Sequence, residues 1–406
     1  MANPDDYEMI GSEHTDELDI QPRCARILRT VRPKYRLKKD RTQPPVVASA
    51  PEPTIPGTQC SAGLASTLLI DKYIDHLPLY RQSQAMERDF GLQLSRQTLT
   101  KWTHAAIDRL LGINEAIKSE VLDQEVLQID ETPIDYLEPG NKKTKNGYLW
   151  VARSPENQSV YYHWSTTRAQ SALLELLELE ENPKQSRLIQ CDGYKVYESV
   201  AKAYPNLELG ACLAHIRRKF LLPNEVESPL WAQKLLKQIQ QLYAIERQLK
   251  EVQAPPDQRR ETRQLKARPI CNEIENLLSG NVLKYRPKEH YGRAINYAQS
   301  QWSQLKRYLE DGRMDIDNNG AENAIRPTKL GLKNWLFFGN ANAGHASASI
   351  YTILQNCKSH GVNPREYLKV TFEALRRGKL PASELTPSKY AEATLLHQLD
   401  QTKKSA

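Results

Sequence analysis

The fold is decided by VLQIDETPIDYL (126–137), GYLWVARSP (147–155), SVYYHWSTT (159–167) and RLIQCD (187–192). The first three are β-branched and aromatic runs separated by polar or turn-forming residues, which predicts a three-stranded antiparallel meander. Beyond them the pattern predicts an amphipathic helix over Ala169 to Glu180, a buried strand from Arg187 to Cys191 running into Asp192, and a helix around Tyr194 to Ala203. A strand near Leu207 to Cys212 and a helix from His215 complete an α/β succession with a mixed sheet.

That order of elements is the one found in ribonuclease-H-like cores. It places Asp130 at the end of the first strand and Asp192 at the end of the strand beside it, with Glu322 early on a later helix. A lone strand-end Asp is usually a turn or cap residue. Three carboxylates brought to one crevice are a different matter, because they can serve as hard oxygen ligands for two divalent cations. The chemistry expected of such a site is phosphodiester cleavage or transfer with Mg²⁺ or Mn²⁺.

Between the second and third acids, residues 228–311 carry helical pattern only, with Trp231, Leu235, Ile239, Leu242, Ile245 and Leu249 on one stripe. An inserted helical bundle is expected, read either as a lid or partner surface or as ordinary packing. Asp317, Asn318 and Asn319 are natural caps and Gly320 relaxes the turn, so Glu322 falls in the first helical turn. Arg326 follows at i+4, as a phosphate contact or as an intrahelical partner of Glu322. Lys329 is a further DNA candidate, but Pro327 is expected to break the helix before it. Trp335 reads either as a base-stacking residue or as core. Cys212 and His215 form a C-x-x-H pair, an ordering element or a core histidine, and Arg217, Arg218 and Lys219 beside it are possible phosphate contacts.

Upstream, LYRQSQAMERDFG ends at Gly91, and Ser95 can cap a helix whose buried stripe is Leu99, Trp102, Ala106 and Leu110. Arg96, Gln97, Thr100, Lys101 and His104 are left facing outward. The arrangement is that of a helix-turn-helix offering basic and amide side chains to a major groove, or of a plain helical hairpin. Before it, the first twenty residues hold seven acids and no Lys or Arg, whereas residues 23–41 hold nine basic residues, Lys38, Lys39 and Arg41 among them. That segment is a phosphate-binding arm or a solvated charge run. Five prolines between Pro44 and Pro56 mark a linker without regular structure.

The 406 residues suffice for two or three compact units, and the net charge of +7 permits a polyanionic partner. Six scattered cysteines do not form a disulfide framework, and the acidic start is unlike a signal peptide. A cytoplasmic, nucleoid-associated protein with no membrane partner is expected.

DHLPLYRQS, QIDETP, QCDGYKVY, CLAHIRRKF, YLEDGRMDIDNNGAENAIRP and LKNWLFFG, in this order, resemble the insertion-sequence-66 family of bacterial transposases over about residues 25–375. The resemblance implies a D-D-E transposase with a ribonuclease-H-like core, a helical insertion, and Asp130, Asp192 and Glu322 as the metal-binding triad. Its partners would be double-stranded DNA at element ends and target, other copies of the chain on DNA, and companion proteins of the element. Where family members close a four-ligand zinc module, this chain reads RPKYRLKKDR without cysteine, so no zinc is expected. The competing expectation is a truncated, catalytically silent DNA-binding derivative. The expected organisation is a leader, arm and linker over 1–60, a helix-turn-helix region over 61–120, and the core over 121–222 and 314–378. The helical insertion falls at 223–313 and a poorly ordered tail at 379–406.

Overall fold

The computed structural model describes residues 12–19, 23–141, 143–182, 185–378 and 380–405, so the acidic leader lies largely outside the described residues. The chain divides into two compact units, Met1–Pro51 with Gln84–Gln93, and Glu52–Ser83 with Leu94–Ala406.

In the first unit, β1 (Lys34–Tyr35) and β2 (Val46–Val47) pair antiparallel. The proline-rich stretch is therefore not wholly irregular: Val46 and Val47 follow Pro44 and Pro45, whose fixed φ already suits an extended edge strand. Lys38, Lys39 and Arg41 lie between the two strands, and the Asp40 carboxylate among them accepts from the Thr42 amide and hydroxyl.

The second unit opens with α1 (Ala62–Tyr73), capped by the Ser61 hydroxyl, which accepts from the Leu64 amide at 3.2 Å. Helix α2 (Leu79–Phe90) starts in this unit and runs into the first, where it ends at Gly91, whose φ of 67° is the left-handed turn expected there. Helix α3 (Arg96–Arg109) is capped by Ser95 and leads directly into α4 (Leu111–Leu122). The buried stripe of α3 is Leu99, Thr103, Ala106, Ile107 and Leu110; Trp102, expected within it, is only half-buried. The face turned inward is thus one position further along, toward α1, α4 and a later helix, α13.

The sheet runs β3 (Val126–Tyr136), β4 (Lys145–Arg153), β5 (Val160–Ser165), then α5 (Gln170–Leu177), β6 (Arg187–Gln190), α6 (Lys195–Ala203), β7 (Leu207–Gly210) and α7 (Leu213–Val226). Its order is β5-β4-β3-β6-β7: β3, β4 and β5 form the antiparallel meander, and β6 and β7 continue parallel to β3. The chain is thus an α/β protein with a mixed five-stranded sheet.

The insertion supplies α8 (Leu230–Glu251), α9 (Pro256–Thr262), a π turn (Arg263–Ala267), α10 (Arg268–Asn281) and α11 (His290–Lys306). Its apolar residues Leu235, Ile239, Ile274, Ile295 and Trp302 share one core with Val126, Ala211, Leu213, Phe220, Met314 and Ile316. It is an extension of the α/β core.

The chain returns through α12 (Asn319–Trp335), which crosses β3 and β4, then α13 (Ala341–Ser359), α14 (Pro364–Arg377) and α15 (Pro387–Ser405). Helix α12 runs through Pro327, contrary to the expected break. The carbonyl that Pro327 leaves without a donor belongs to Asn323, an exposed residue, so water can take it up. Helix α13 covers the edge strand β5: Thr352 Oγ1 accepts from the Tyr162 amide at 3.0 Å, and Asn356 accepts from the Val160 amide while donating to its carbonyl. The expected disordered tail is instead helical from Pro387 and is tied down where it starts, since Tyr367 donates to the Leu385 carbonyl and Thr386 to Glu120.

Candidate active site

Asp130 stands in the middle of β3, where a strand end was expected. The reason is that β3 pairs with β6 only over Val126–Gln128 but with β4 along its whole remaining length. Gln128 faces Gln190 in this parallel register, so Asp130 and Asp192 each lie two residues beyond that pair. Side chains recur on the same face of a strand every second residue, so Asp130 shares the face of Gln128, on which the loop before α12 is bonded, and Asp192, just past β6, lies within its electrostatic reach.

Glu322 reaches the same place from the first turn of α12. Its carboxylate lies 3.6 Å from His215 Nε2 and 3.6 Å from Arg218 Nη2, both on α7. Burial pushes the Asp130 carboxyl up to about 7, and the negative charges of Glu131, Asp192 and Glu322 add to the effect. His215, in turn, is held below the usual histidine range by burial, although Glu322 and Asp192 pull the other way. The structure thus brings Asp130, Asp192, Glu322 and His215 within electrostatic reach of one another.

A buried amide network holds these elements in register. Gln128 Nε2 donates to Gln190 Oε1 at 2.9 Å and to the Asp317 carbonyl at 2.9 Å, while Arg153 donates to Gln128 Oε1 at 2.7 Å. Gln190 reaches the Asp315 carbonyl at 2.8 Å, and Asn318 donates to the Ile129 carbonyl at 3.0 Å. The loop that carries α12 into the site is therefore clamped to β3 and β6 one turn before Glu322. Asn318 occupies the cap position without capping; Asp317 accepts from the Asn319 amide instead. Gly320 is needed for space, since a Cβ there would collide with Arg153 and Gln128.

Two tyrosines of the insertion complete the frame. Tyr297 on α11 donates to the Asp192 carbonyl at 2.7 Å, and Tyr243 on α8 donates to Asp317 Oδ2 at 2.9 Å. On the opposite face of β3, Glu131 accepts from Arg168 Nε at 2.8 Å and from the Tyr197 hydroxyl at 2.8 Å. The Arg168 guanidinium lies 3.9 Å over the Tyr194 ring. None of these partners was singled out from sequence, because an isolated strand Gln, or a Tyr at a helical apolar position, carries no mark of what it faces.

Cys212, His215 and Glu322 offer donor atoms within 4.8 Å of one another. The Cys212 thiol is pushed up to about 12 by burial, and its sulfur accepts from the Asn318 amide at 3.2 Å. The Cys212 sulfur is thus engaged with the loop before α12, and His215 faces Glu322.

The remaining candidates are spread out. Arg217, Arg218, Arg326 and Lys329 are exposed, on α7 and α12. Arg96, Gln97, Thr100 and Lys101 are exposed on α3, but His104, expected beside them, is half-buried with its proton affinity lowered by burial. Trp335 stacks on Phe338, ring centroids 5.0 Å apart and planes 14° from parallel, so one face of its ring is covered. Lys38, Lys39 and Arg41 belong to the other unit. No helix among the described residues is long and apolar enough to cross a membrane.

Residues 57–346 match the family described as Transposase IS66 family. The uncharacterized protein y4qI of Sinorhizobium fredii is 31% identical over 391 residues, which cover 93% of this chain and 70% of the relative. The uncharacterized protein y4jD of the same organism is 28% identical over 391 residues, covering 93% of this chain and 74% of the relative.

Proposed function

The chain belongs to the IS66 family of transposases, and from that premise we propose that it cuts phosphodiester bonds at the ends of a mobile element and joins the freed 3′-hydroxyl to target DNA. In this reading the sheet is a ribonuclease-H-like core and Asp130, Asp192 and Glu322 are its D-D-E carboxylates. The observation that carries the reading is the meeting of these three acids, from β3, the end of β6 and the start of α12, within electrostatic reach of one another.

Divalent metal use goes with the family, and the donor set suits a hard cation. The negative charges of Asp192 and Glu322 add to the burial that raises the proton affinity of Asp130, and Glu322 Oε1 is buried without a hydrogen-bond partner. Asp130, Asp192 and Glu322 would hold Mg²⁺ or Mn²⁺ as a pair of ions, which when bound would supply an activated attacking oxygen and a stabilised leaving oxygen. The chain's own residues keep that set in place. Tyr297 fixes the backbone at Asp192, the Gln128–Gln190 pair fixes the loop before Glu322, and His215 Nε2 lies 3.6 Å from the Glu322 carboxylate. No zinc enters this reading.

DNA, the partner that family membership implies, would be met in two ways. Arg218, Arg326 and Lys329 flank the carboxylates and suit backbone phosphates. Arg96, Gln97 and Lys101 on α3 suit base edges at the element ends if α2 and α3 act as a helix-turn-helix, with Lys38, Lys39 and Arg41 adding nonspecific affinity. Assembly of several copies on paired ends is part of the same proposal. A cleavage assay on duplexes carrying the element's flanking ends, with Mg²⁺ or with EDTA, tests it. Metal-dependent nicking that Asp130→Asn abolishes supports the reading; end binding without nicking by the unmodified chain would leave the silent derivative in its place.

A further inference from the structure

Helix α12 leaves its last turn through a γ-turn. The Phe337 amide donates to the Trp335 carbonyl at 2.8 Å, and Leu336 between them has φ 65° and ψ −49°. A left-handed central residue is strained for any side chain but glycine's. The strain here displays two adjacent apolar side chains to solvent, Leu336 at 67% exposure and Phe337 at 38%.

The display is rigidly mounted. Phe338, next in sequence, is buried; its amide donates to the Asp135 carbonyl at 2.8 Å and its carbonyl accepts from the Leu137 amide at 2.9 Å, which pins the turn to the end of β3. Its ring is clasped between Trp335, in parallel stacking, and Trp164, edge-on at 5.1 Å. Trp335 in turn lies over Gly331, where any Cβ would press on the indole. The two tryptophans and Phe338 are thus the mount, and Leu336 and Phe337 are what is mounted.

Charge identifies what the pair faces. Arg326, Lys329 and Lys333 lie exposed along the same helix, and from Asn323 to Arg365 the chain contains no Asp or Glu. Two side chains are also far too small a patch for a stable protein interface, which needs roughly 800 Å² per partner. We propose that Leu336 and Phe337 form an apolar wedge that enters a base step of duplex DNA whose backbone runs along the cationic face of α12. The proposal rests on the reading of Glu322 as part of the cleavage site. Leu336 lies fourteen residues beyond Glu322 on a continuous helix, about 21 Å at 1.5 Å per residue, or about six base pairs from the phosphate being cut.

Unstacking a base step resists such a wedge, and a step already weakened resists it less. The test uses the full-length protein in EDTA, so that cleavage plays no part. Anisotropy titrations compare an intact 40-base-pair duplex with the same duplex carrying one abasic site at its centre. The unmodified chain is expected to prefer the abasic duplex by about tenfold. Phe337→Ala, at a half-exposed position, and the double variant with Leu336→Gly, which relieves the strained turn, are expected to bring the two affinities within twofold. Lys333→Ala is expected to weaken both duplexes equally. Absence of the preference in the unmodified chain, its survival in Phe337→Ala, or a change of oligomeric state in that variant during sedimentation would each overturn the wedge. Cleavage at element ends without this preference sinks the wedge alone, whereas the preference without cleavage sinks the catalytic reading alone.

Discussion

Arg263 is the residue whose loss should be most costly outside the carboxylate site. It is fully buried in the π turn after α9, forms a two-pronged ion pair with Glu246 at 2.8 and 2.6 Å, and donates to the carbonyls of Tyr308, Asp311 and Met314. Those carbonyls line the loop by which the chain returns from the insertion toward Asp317 and Glu322. Arg263→Met keeps the apolar stem but strands the Glu246 carboxylate and three backbone acceptors. Opening a buried pair of this kind costs about 3–5 kcal/mol. Arg259, whose Nη2 is 3.6 Å from Glu246, recovers part of that, so about 3 kcal/mol is expected.

Urea unfolding should show the loss as a lower midpoint with an unchanged slope, and hydrogen exchange should show it first in residues 308–318. Pairing Arg263→Met with Glu246→Leu removes both charges together and should restore most of the stability. Cleavage by the single variant should slow more than DNA binding weakens, since the loop it braces leads straight into the turn that carries Glu322. A loss below about 1 kcal/mol would refute the bracing role. So would exchange that rises evenly over the whole chain.

Asp130→Asn, Asp192→Asn and Glu322→Gln should each abolish strand cleavage in Mg²⁺ with folding and DNA binding retained, and the triple variant should be no worse than the singles; cleavage at full rate by any one of them removes that residue from the site. Replacing Lys38, Lys39 and Arg41 by Ala should weaken binding to every duplex and lower the salt slope by up to about one log unit per lost contact, while Gln97→Ala and Lys101→Ala should instead reduce preference for element ends; filter binding against salt separates the two. His163 on β5 is held down at about 4 by burial and by the positive neighbours His345 and Lys118, despite Glu175 Oε2 at 3.4 Å, which is mostly in water. Its folded-state value lies below the unfolded one, so stability present above pH 6.5 is lost as pH falls toward 4, by at most about 3 kcal/mol. His163→Gln should flatten that limb of a stability-against-pH curve, and an unchanged slope would refute the assignment.

The strands were legible because their apolar alternation is local, and the meander followed from three such runs in succession. What sequence misjudged was extent. Asp130 reads as a strand end only if β3 stops where its parallel neighbour does, yet β4 carries the strand on to Tyr136. Pro327 reads as a helix end, yet α12 continues through it, with the freed carbonyl belonging to an exposed residue, Asn323. The phase of α3 slipped because Thr103, a polar residue by its formula, satisfies its hydroxyl on the Leu99 carbonyl at 2.7 Å and is buried like an alanine.

The site was legible in its acids and illegible in its frame, for one physical reason. A carboxylate at a strand or helix end is conspicuous because it is costly to bury, whereas a glutamine or tyrosine is ambiguous until its partner is known. Gln128 and Gln190 are 62 residues apart and meet only because β3 and β6 share a parallel register. The insertion was open to reading as a lid for the same reason, since helical periodicity says which face is buried but not against what. Here that face is buried against Val126 of β3 and against Leu213 and Met314, while Tyr243 bonds the Asp317 carboxylate and Tyr297 the Asp192 carbonyl. A lid must part from its site at small cost. Lifting these helices would expose a shared apolar core and break both tyrosine bonds, so the packing favours a fixed wall beside Asp192 and the loop before Glu322.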